Sequence, residues 1–348
     1  MLARSRIEKE IASLGGWMPF ARYMQLALHE PGIGYYASGA RKFGAGGDFV
    51  TAPELGSLFG RTLARQLQEV PGGRILELGA GSGALAETLI QATGFEYLIL
   101  ETSAELRARQ QERLGKKAVH IEKLPENFVG SIVANEVADA LPVHMVHWTE
   151  EGILERGVGP GLAWLDRPAA GTLLEQAKGI NPPPPYVSEI NLLLKPWMRS
   201  LVDCLARGAI FVIDYGFPQR EYYHPQRAAG TLMCHHRQRA HADPFARPGE
   251  EDITAHVDFS AAAAAAREAG AGLLGYATQA QFLVNCGITD VLAEVNAENA
   301  LHYAPIAAQA QKLLSPAEMG ELFKVLAAGK GVDAPLLGFS SGDRVHTL

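Results

Sequence analysis

An apolar run, Arg74 to Leu78 (RILEL), leads directly into three alternating glycines and then into a helical pattern that begins near Ala84. The glycines are Gly79, Gly81 and Gly83. They allow the backbone to turn tightly and approach a ligand, which the first N–H groups of the following helix would face. Strand, glycine loop and helix in this order predict a ligand-binding βαβ unit.

Short apolar runs alternate with helical patterns from about residue 74 onward, which is typical of a parallel sheet covered by helices. The candidate strands are 74–78, 97–100, 118–121, 131–134, 210–214, 273–276 and 335–339. We therefore predict an α/β fold with a seven-stranded, mostly parallel, doubly wound sheet.

Some stretches fall outside this alternation. Residues 1–70 are predicted to form an N-terminal helical cap with a cofactor-covering loop, and residues 71–348 the core domain. Insertions are expected at about 143–190 and 216–258. Loops of this length in a compact domain are usually functional, so we expect the insertions to form lids.

Composition excludes several classes of function. The 348 residues are 47% hydrophobic and 20% charged, which is enough for a full core. A formal net charge of -7 offers no broad basic surface, so nucleic acid is not an expected partner.

No apolar run approaches the ~18 residues of a membrane span. Charged residues interrupt the N-terminal segment, which disfavours a signal peptide. Cys204, Cys234 and Cys286 lie far apart, as suits a reducing compartment, and we expect a cytoplasmic protein.

Two acidic residues accompany the glycine loop. Glu101 closes the second strand, where a carboxylate can accept hydrogen bonds from both hydroxyls of a ribose. Glu77 lies two residues before the first glycine, where its charge can hold the ammonium group of S-adenosylmethionine (SAM) but would lie unfavourably close to a pyrophosphate. Glu77 therefore favours SAM, whereas the ribose contact of Glu101 and the glycine string fit NAD as well.

The fourth strand ends in a polar cluster that includes Asn135, Glu136 and Asp139. Ligands of open α/β sheets bind at the carboxyl edge of the strands, so these side chains are predicted to be catalytic. A carboxylate can hold a planar guanidinium in bidentate geometry, and a second one can take the proton released after methyl transfer. The alternative is that Asp139 only caps the following turn.

Two further segments are predicted to contribute to the site. Asp48 and Thr51 belong to a glycine-flanked loop that would cover the cofactor. Residues 252–259 alternate polar and apolar, so His256 and Asp258 would share one face of an extended segment and contact the substrate. That face could equally be the solvated side of an edge strand.

Cys234, His235, His236 and His241 suggest a metal site. Adjacent histidines point in different directions, however, and no fourth ligand follows at a known spacing. We therefore expect no metal.

Taken together and in order, these motifs resemble the MidA-like family of class I methyltransferases, whose mitochondrial members assist the assembly of respiratory complex I. The resemblance covers nearly the whole chain. It is carried by segments 32–36, 47–54, 76–83, 101–107, 134–142, 213–216, 249–259 and 319–323.

The resemblance implies a Rossmann-like methyltransferase core with SAM as cofactor and S-adenosylhomocysteine (SAH) as product. It also implies a protein substrate that is methylated on arginine, which in the mitochondrial members belongs to a respiratory-complex subunit. The implied SAM-binding and acceptor positions are those already named. One departure from the family pattern concerns the acceptor, because Val137 and Ala138 replace an aromatic pair that would shape its pocket.

Three alternatives stay open at this point: methylation of a small molecule, an assembly factor that binds SAM without turnover, and an NAD-dependent oxidoreductase. Retention of Glu77, Glu101 and the Asn135–Glu136 pair favours turnover.

Overall fold

The computed structural model describes residues 2–37, 51–237, 239–333 and 335–348. The chain divides into two compact units. Unit 1 comprises Met1–Phe49, Asp139–Pro196 and Phe217–His256, and unit 2 comprises Val50–Ala138, Trp197–Gly216 and Val257–Leu348. The domain boundaries given above, with a cap at 1–70 and a core at 71–348, stay a prediction.

The strands are numbered in chain order. They are β1 (Met18–Pro19), β2 (Arg74–Leu78), β3 (Glu96–Leu100), β4 (Val119–Ile121), β5 (Phe128–Asn135), β6 (His144–Thr149), β7 (Gly152–Gly159), β8 (Ala163–Pro168), β9 (Tyr186–Ile190), β10 (Leu205–Phe217), β11 (Met233–His236), β12 (Arg239–His241), β13 (Asp252–Thr254), β14 (Val257–Asp258), β15 (Gly272–Thr278) and β16 (Phe323–Lys330).

The α-helices are α1 (Leu2–Ser13), α2 (Phe20–His29), α3 (Ala52–Leu55), α4 (Ser57–Leu67), α5 (Ala84–Thr93), α6 (Ala104–Leu114), α7 (Gly171–Ile180), α8 (Leu194–Cys204), α9 (Gln219–Tyr222), α10 (Phe259–Glu268), α11 (Gln279–Asn285), α12 (Ile288–Ala293) and α13 (Ala300–Leu314). Short 3-10 helices cover Tyr35–Ala37, Gly115–Lys117, Pro225–Arg227, Leu337–Phe339 and Val345–Thr347.

Unit 2 is built on a mixed sheet in the order β15-β16-β10-β5-β2-β3-β4, with the short β14 paired to β10. The pairs among β4, β3, β2, β5 and β10 are parallel. β16 runs antiparallel to both β10 and β15. The predicted α/β class is confirmed, and the carboxyl ends of β2, β3 and β5 lie side by side at one edge.

One predicted strand is wrong. Residues 335–339 form no strand but a 3-10 helix, Leu337–Phe339, and the last strand of the sheet is β16. The apolar side chains of this segment pack into the core, where the centroids of the Phe339 and Phe282 rings are 5.3 Å apart. The strand β16 is buried on both faces, but its sequence, FKVLAAGK, contains lysine, alanine and glycine in place of a continuous run of strand-forming residues.

Local signals in the sequence account for the helix ends near the sheet edge. The Ser103 hydroxyl accepts a hydrogen bond from the backbone N–H of Leu106 and caps α6. Gly94 ends α5 in the left-handed region (φ 68°), where a side chain would be strained. These caps fix where the helices begin and end beside β2 and β3.

Unit 1 contains a five-stranded antiparallel sheet, β1-β7-β6-β9 with β8 on β7, and a three-stranded sheet in the order β12-β11-β13. Its core includes buried Tyr23, Met24, Met145 and Ile253. Segment 216–258, which was predicted as an insertion, contains the short helix α9 and the strands β11 to β14.

Across the described residues, no helix has both the length and the apolar character that are needed to cross a membrane.

Candidate active site

The glycine loop connects β2 to α5 in unit 2. Gly79, Gly81 and Gly83 have φ values of 59°, 53° and 79°, a region that disfavours any residue with a Cβ. The N–H of Gly79 donates to the carbonyl of Leu100 at 3.0 Å, which fixes the loop beside the end of β3. A Cβ on Gly79 would lie 3.2 Å from the Val137 side chain, so the loop that follows β5 packs directly against the glycine loop.

Glu77 is a buried carboxylate at the end of β2, with 3% of its surface exposed. Its Oε2 accepts a hydrogen bond of 2.7 Å from the Tyr97 hydroxyl, a diagonal neighbour on β3. Burial raises the pKa of Glu77 to about 7, and the nearby Glu101 adds to the rise, whereas the Tyr97 hydrogen bond opposes it. A cationic group of a ligand beside Glu77 would stabilise the ionised form of this buried carboxyl group.

Glu101 follows β3 and is held by hydrogen bonds. Its Oε1 accepts from the N–H of Ser103 at 2.9 Å, and its Oε2 accepts from the side-chain amide of Gln110 at 3.1 Å. Burial raises the pKa of Glu101, and these hydrogen bonds oppose the shift. The Gln110 amide also donates to the carbonyl of Gly81 at 2.9 Å, so one side chain joins the acid to the glycine loop.

Sequence reasoning missed Gln110. It lies inside α6 among charged residues, and no spacing motif marks it. Only the packing of α6 beside the glycine loop reveals its position.

Thr51 is buried and precedes α3 with an extended backbone. The next residues contact the glycine loop directly, because the Ser82 hydroxyl donates a hydrogen bond to Glu54. The predicted cofactor-covering segment thus meets the loop within unit 2. Asp48, the other predicted residue of this segment, lies outside the described residues.

Asn135 and Glu136 lie at the carboxyl end of β5. Glu136 has a φ of 54°, a strained value for a residue with a side chain, and its N–H donates to the carbonyl of Ile213 at 2.9 Å. The Asn135 amide donates to Glu136 Oε1 at 3.2 Å. Within the described part of the chain, no hydrogen-bond partner reaches the buried Asn135 Oδ1. The pair therefore presents oxygen acceptors.

Asp214, at the end of the neighbouring β10, holds the backbone that follows. It is fully buried, and its Oδ2 accepts from the N–H of Ala138 at 2.9 Å while its Oδ1 accepts from the N–H of Tyr215 at 2.9 Å. The predicted strand 210–214 ends at this residue, but no role was predicted for its side chain. Asp214 holds the backbone of the loop that follows Asn135 and Glu136.

Asp139 is buried in unit 1, in a cluster of acidic and aromatic side chains. The Tyr36 hydroxyl donates to Asp252 Oδ1 at 2.8 Å, and the His29 ring stacks on the Tyr36 ring at 5.6 Å. Burial raises the pKa of Tyr36, and the charges of Asp252 and Asp139 raise it further. The backbone carbonyl of Asp139 accepts from the N–H of Ala255 at 3.1 Å.

The two predicted substrate-binding residues have different surroundings. The His256 ring lies against Phe217 at 5.3 Å in unit 1, and its backbone N–H donates to the Thr231 hydroxyl at 3.0 Å. Asp258 caps α10 in unit 2, because its carboxylate accepts from the N–H of Ala261 at 3.0 Å. Burial raises the pKa of Asp258 to about 6. Contact of either residue with a substrate stays a prediction.

Unit 2 alone brings together most of the residues that were predicted from the sequence. They are Glu77, Gly79, Gly81, Gly83, Glu101, Thr51, Asn135 and Glu136. A buried acid of raised pKa suits an ammonium group, an acid at the end of β3 suits a ribose, and left-handed glycines let a ligand approach the backbone. The chemistry of this donor set fits SAM. The fold and the site thus define an α/β protein whose residues at the carboxyl edge of the sheet suit a nucleoside-containing cofactor.

Comparison with known sequences gives the family. Residues 58–277 match the family described as "Putative S-adenosyl-L-methionine-dependent methyltransferase", and the match covers more than half of the 348 residues. The chain belongs to this family and is a SAM-dependent methyltransferase. The predicted cofactor is confirmed, and the NAD alternative that the glycine string left open is wrong.

Related sequences and a solved structure also support a methyltransferase. The chain is 27% identical over 93% of its length to the protein arginine methyltransferase NDUFAF7 homolog, mitochondrial, of Drosophila melanogaster, of which it covers 86%. It is 27% identical over 89% of its length to protein arginine methyltransferase NDUFAF7, mitochondrial, of Danio rerio, of which it covers 82%. A Burkholderia thailandensis structure with bound SAH is 49% identical, with a TM-score of 0.96 over 100% of this chain and 96% of that one. The MidA-like resemblance is confirmed.

Proposed function

We propose that this methyltransferase transfers the methyl group of SAM to an arginine side chain of a protein. The observation that carries the proposal is the pair of oxygen acceptors at the end of β5, the buried Asn135 Oδ1 and the Glu136 carboxylate. A guanidinium has five N–H donors and no acceptor, so it matches such oxygen acceptors. The names of the Drosophila and Danio relatives support the same acceptor.

Methyl transfer to arginine is a displacement in which a carbon–nitrogen bond forms as the carbon–sulfur bond breaks. SAM supplies an electrophilic methyl group on a sulfonium and leaves as the neutral thioether SAH. The protein's part is to align the guanidinium nitrogen, to disperse its charge over carboxylate oxygens and to accept the proton that the nitrogen releases. We assign alignment to Asn135 and Glu136. Glu136 and Asp139 are the candidates for proton acceptor.

The acidic cluster of unit 1 supports a cationic substrate as well. Asp139 and Asp252 are both buried, and both act electrostatically on the Tyr36 hydroxyl. Buried carboxylates favour a cation over a neutral metabolite. We propose that this cluster contributes to recognition of the arginine-bearing segment, with His256 beside it in the chain.

The remaining residues are assigned to the cofactor. We propose that Glu77 holds the SAM ammonium group, that Glu101 accepts hydrogen bonds from the ribose hydroxyls, and that the glycine loop supports the methionine moiety. Thr51, with Asp48 in the preceding loop, would cover the cofactor. We interpret the seven-strand path of the large sheet as the Rossmann-like arrangement of class I methyltransferases, with residues 1–70 as its cap.

The test is methyl transfer from isotopically labelled SAM to an extract of the source organism, with the modified residue located by mass spectrometry. We expect label on arginine. Glu136→Gln keeps the size of the side chain and should lower the rate by about 100-fold or more while SAH affinity changes less than about twofold. The control Glu96→Gln, on an exposed carboxylate of β3, should behave as the native protein.

Other outcomes would contradict specific parts of the proposal. Label on a small molecule alone would reject the protein acceptor, and SAH binding without any transfer would indicate an assembly factor. An unchanged rate in Glu136→Gln would reject the site assignment. We further propose a cytoplasmic location and, from the family resemblance, a respiratory-complex subunit as substrate. Cell fractionation and identification of the labelled protein test these two points.

A further inference from the structure

Three side chains of unit 1 lie close together. They are far from the glycine loop in the sequence. One ligand atom each of Cys234, His241 and Glu251 lies within 4.8 Å of the other two. We propose that these residues form a site for a divalent transition-metal ion of the zinc class, which ties the three-stranded sheet together. The proposal is independent of the acceptor that is methylated.

The sheet register creates this cluster. Cys234 on β11 pairs directly with His241 on β12, so their side chains leave the same face of the hairpin. On the other side, Cys234 pairs with Ile253 of β13. Glu251 comes immediately before β13, which brings its carboxylate to the same place. Backbone pairing thus holds three potential ligands in position before any ion binds.

The distances are close to those of a metal site. His241 Nε2 lies 3.1 Å from Glu251 Oε2. Tetrahedral zinc with nitrogen, oxygen and sulfur ligands places its donor atoms about 3.2–3.8 Å apart. The His241–Glu251 pair already has this spacing, and the widest separation in the cluster, which is at most 4.8 Å, would contract by up to about 1 Å around an ion. Metal on Nε2 moves the ring proton to Nδ1, and the 3.3 Å contact from the Asp243 N–H to that atom is given up.

The burial and the chemical type of the three ligand side chains indicate which ion would bind. Cys234 and Glu251 are both 0% exposed, whereas a third of the His241 side chain is exposed. Cys234 would bind as a thiolate after losing its proton, and a divalent ion would then neutralise the buried thiolate and carboxylate together. Sulfur and imidazole donors favour zinc-class ions over magnesium or calcium.

His236 is a candidate for the fourth coordination position, although its ring is not part of the 4.8 Å cluster. His236 lies two residues after Cys234 on β11, and side chains alternate along a strand, so both are on one face. A site with three protein ligands would otherwise complete its shell with water.

From the sequence alone no metal is expected, because no further ligand follows the histidines at a known spacing. Glu251 is that ligand, ten residues beyond His241, and only the strand order β12-β11-β13 brings it close. Its neighbour Asp252 accepts the Tyr36 hydrogen bond. An ion at Glu251 would therefore also anchor the strand that carries Asp252 of the acidic cluster.

The experiment is a metal titration of untagged, chelator-treated protein. Zn²⁺ is titrated against a chromophoric chelator, and Co²⁺ is followed by its absorption, because a thiolate ligand gives a near-ultraviolet charge-transfer band. We expect one equivalent of each ion and the thiolate band. Cys234→Ser should abolish the band and weaken Zn²⁺ binding by about 100-fold or more, since even outer-shell partners contribute 10–100-fold.

The matched control is Cys286→Ser, which changes a buried cysteine in unit 2 and should leave both signals intact. Circular dichroism checks the folding of each variant. If Cys234→Ser does not fold, Glu251→Gln replaces it, with the same loss of Zn²⁺ affinity expected. Absence of the thiolate band in the native protein, or Zn²⁺ binding that survives both substitutions, would overturn the proposal.

Discussion

Glu77→Gln removes the charge of the buried acid at the end of β2 and keeps its shape. An amide oxygen can still accept the hydrogen bond that the Tyr97 hydroxyl now donates to Glu77 at 2.7 Å. The native carboxylate has its pKa raised from 4.5 to about 7, with burial as the main cause. We expect the substitution to stabilise the protein without cofactor and, at the same time, to weaken cofactor binding.

The effect on stability follows from the direction of this pKa shift. A pKa that is higher in the folded protein means that the folded state holds its proton more tightly, so stability falls as pH rises through the range 4.5 to 7. The full rise is worth about 3 kcal/mol. Glu77→Gln should therefore increase the free energy of unfolding by up to about 3 kcal/mol at pH 8, and the gain should fade below about pH 5.

The effect on binding has the opposite sign. Only ionised Glu77 attracts the ammonium group of the cofactor, and a pKa near 7 leaves about nine-tenths ionised at pH 8 and about one-tenth at pH 6. The dissociation constant of SAH should thus rise about tenfold between pH 8 and pH 6 in the native protein. At pH 8, Glu77→Gln should weaken SAH binding by about 10- to 100-fold, because a charge-assisted hydrogen bond is lost.

Isothermal titration calorimetry with SAH at pH 6 and pH 8 measures the affinities, and urea unfolding without ligand measures the stabilities. The control is Glu96→Gln on β3, whose carboxylate is 53% exposed and pairs with Arg74. It should change stability by less than about 1 kcal/mol and leave SAH affinity unaltered. A native SAH affinity that is the same at both pH values, or a Glu77→Gln protein that is less stable than the native one at pH 8, would refute the reasoning.

Three further predictions concern the same edge of the sheet. Tyr97→Phe removes a hydrogen bond that lowers the pKa of its neighbouring acid, so calorimetry at several pH values should show the midpoint of SAH binding moving to higher pH. Gly81→Val places a branched side chain at φ 53° beside the ligand and should abolish SAH binding. Gly94→Val, at a similar φ of 68° in open space, should cost about 1–2 kcal/mol of stability and keep binding. Asp214→Asn removes one of the two hydrogen bonds that the buried carboxylate accepts. Urea unfolding should show a free energy of unfolding that is lower by about 1–3 kcal/mol, and activity assays should show slower methyl transfer at unchanged SAH affinity.

Much of the large sheet was predictable because its first strands are short apolar runs between turns. The strands β2, β3, β4, β5, β10 and β15 all overlap segments that were predicted as strands from the sequence. β16 was missed because its sequence, FKVLAAGK, contains two lysines and an Ala-Ala-Gly run, which are residue types that strands disfavour. The apolar segment 335–339 was misassigned because hydrophobicity reports burial and does not distinguish a strand from a packed 3-10 turn.

The sequence by itself determined the chemistry at the strand ends. Glycines at 79, 81 and 83, with acids at 77 and 101, follow one another within a single βαβ unit, so local order along the chain is enough to specify a cofactor site. Asn135 and Glu136 could be assigned to the same edge because parallel strands all end there.

The tertiary structure alone decided which side chains touch. The register of β2 against β3 sets Tyr97 beside Glu77, the packing of α6 sets Gln110 between Glu101 and Gly81, and the strand order β12-β11-β13 sets Glu251 beside Cys234. Each of these contacts joins residues that are distant in the chain. Register and packing depend on the burial of the whole core, so no local pattern encodes them.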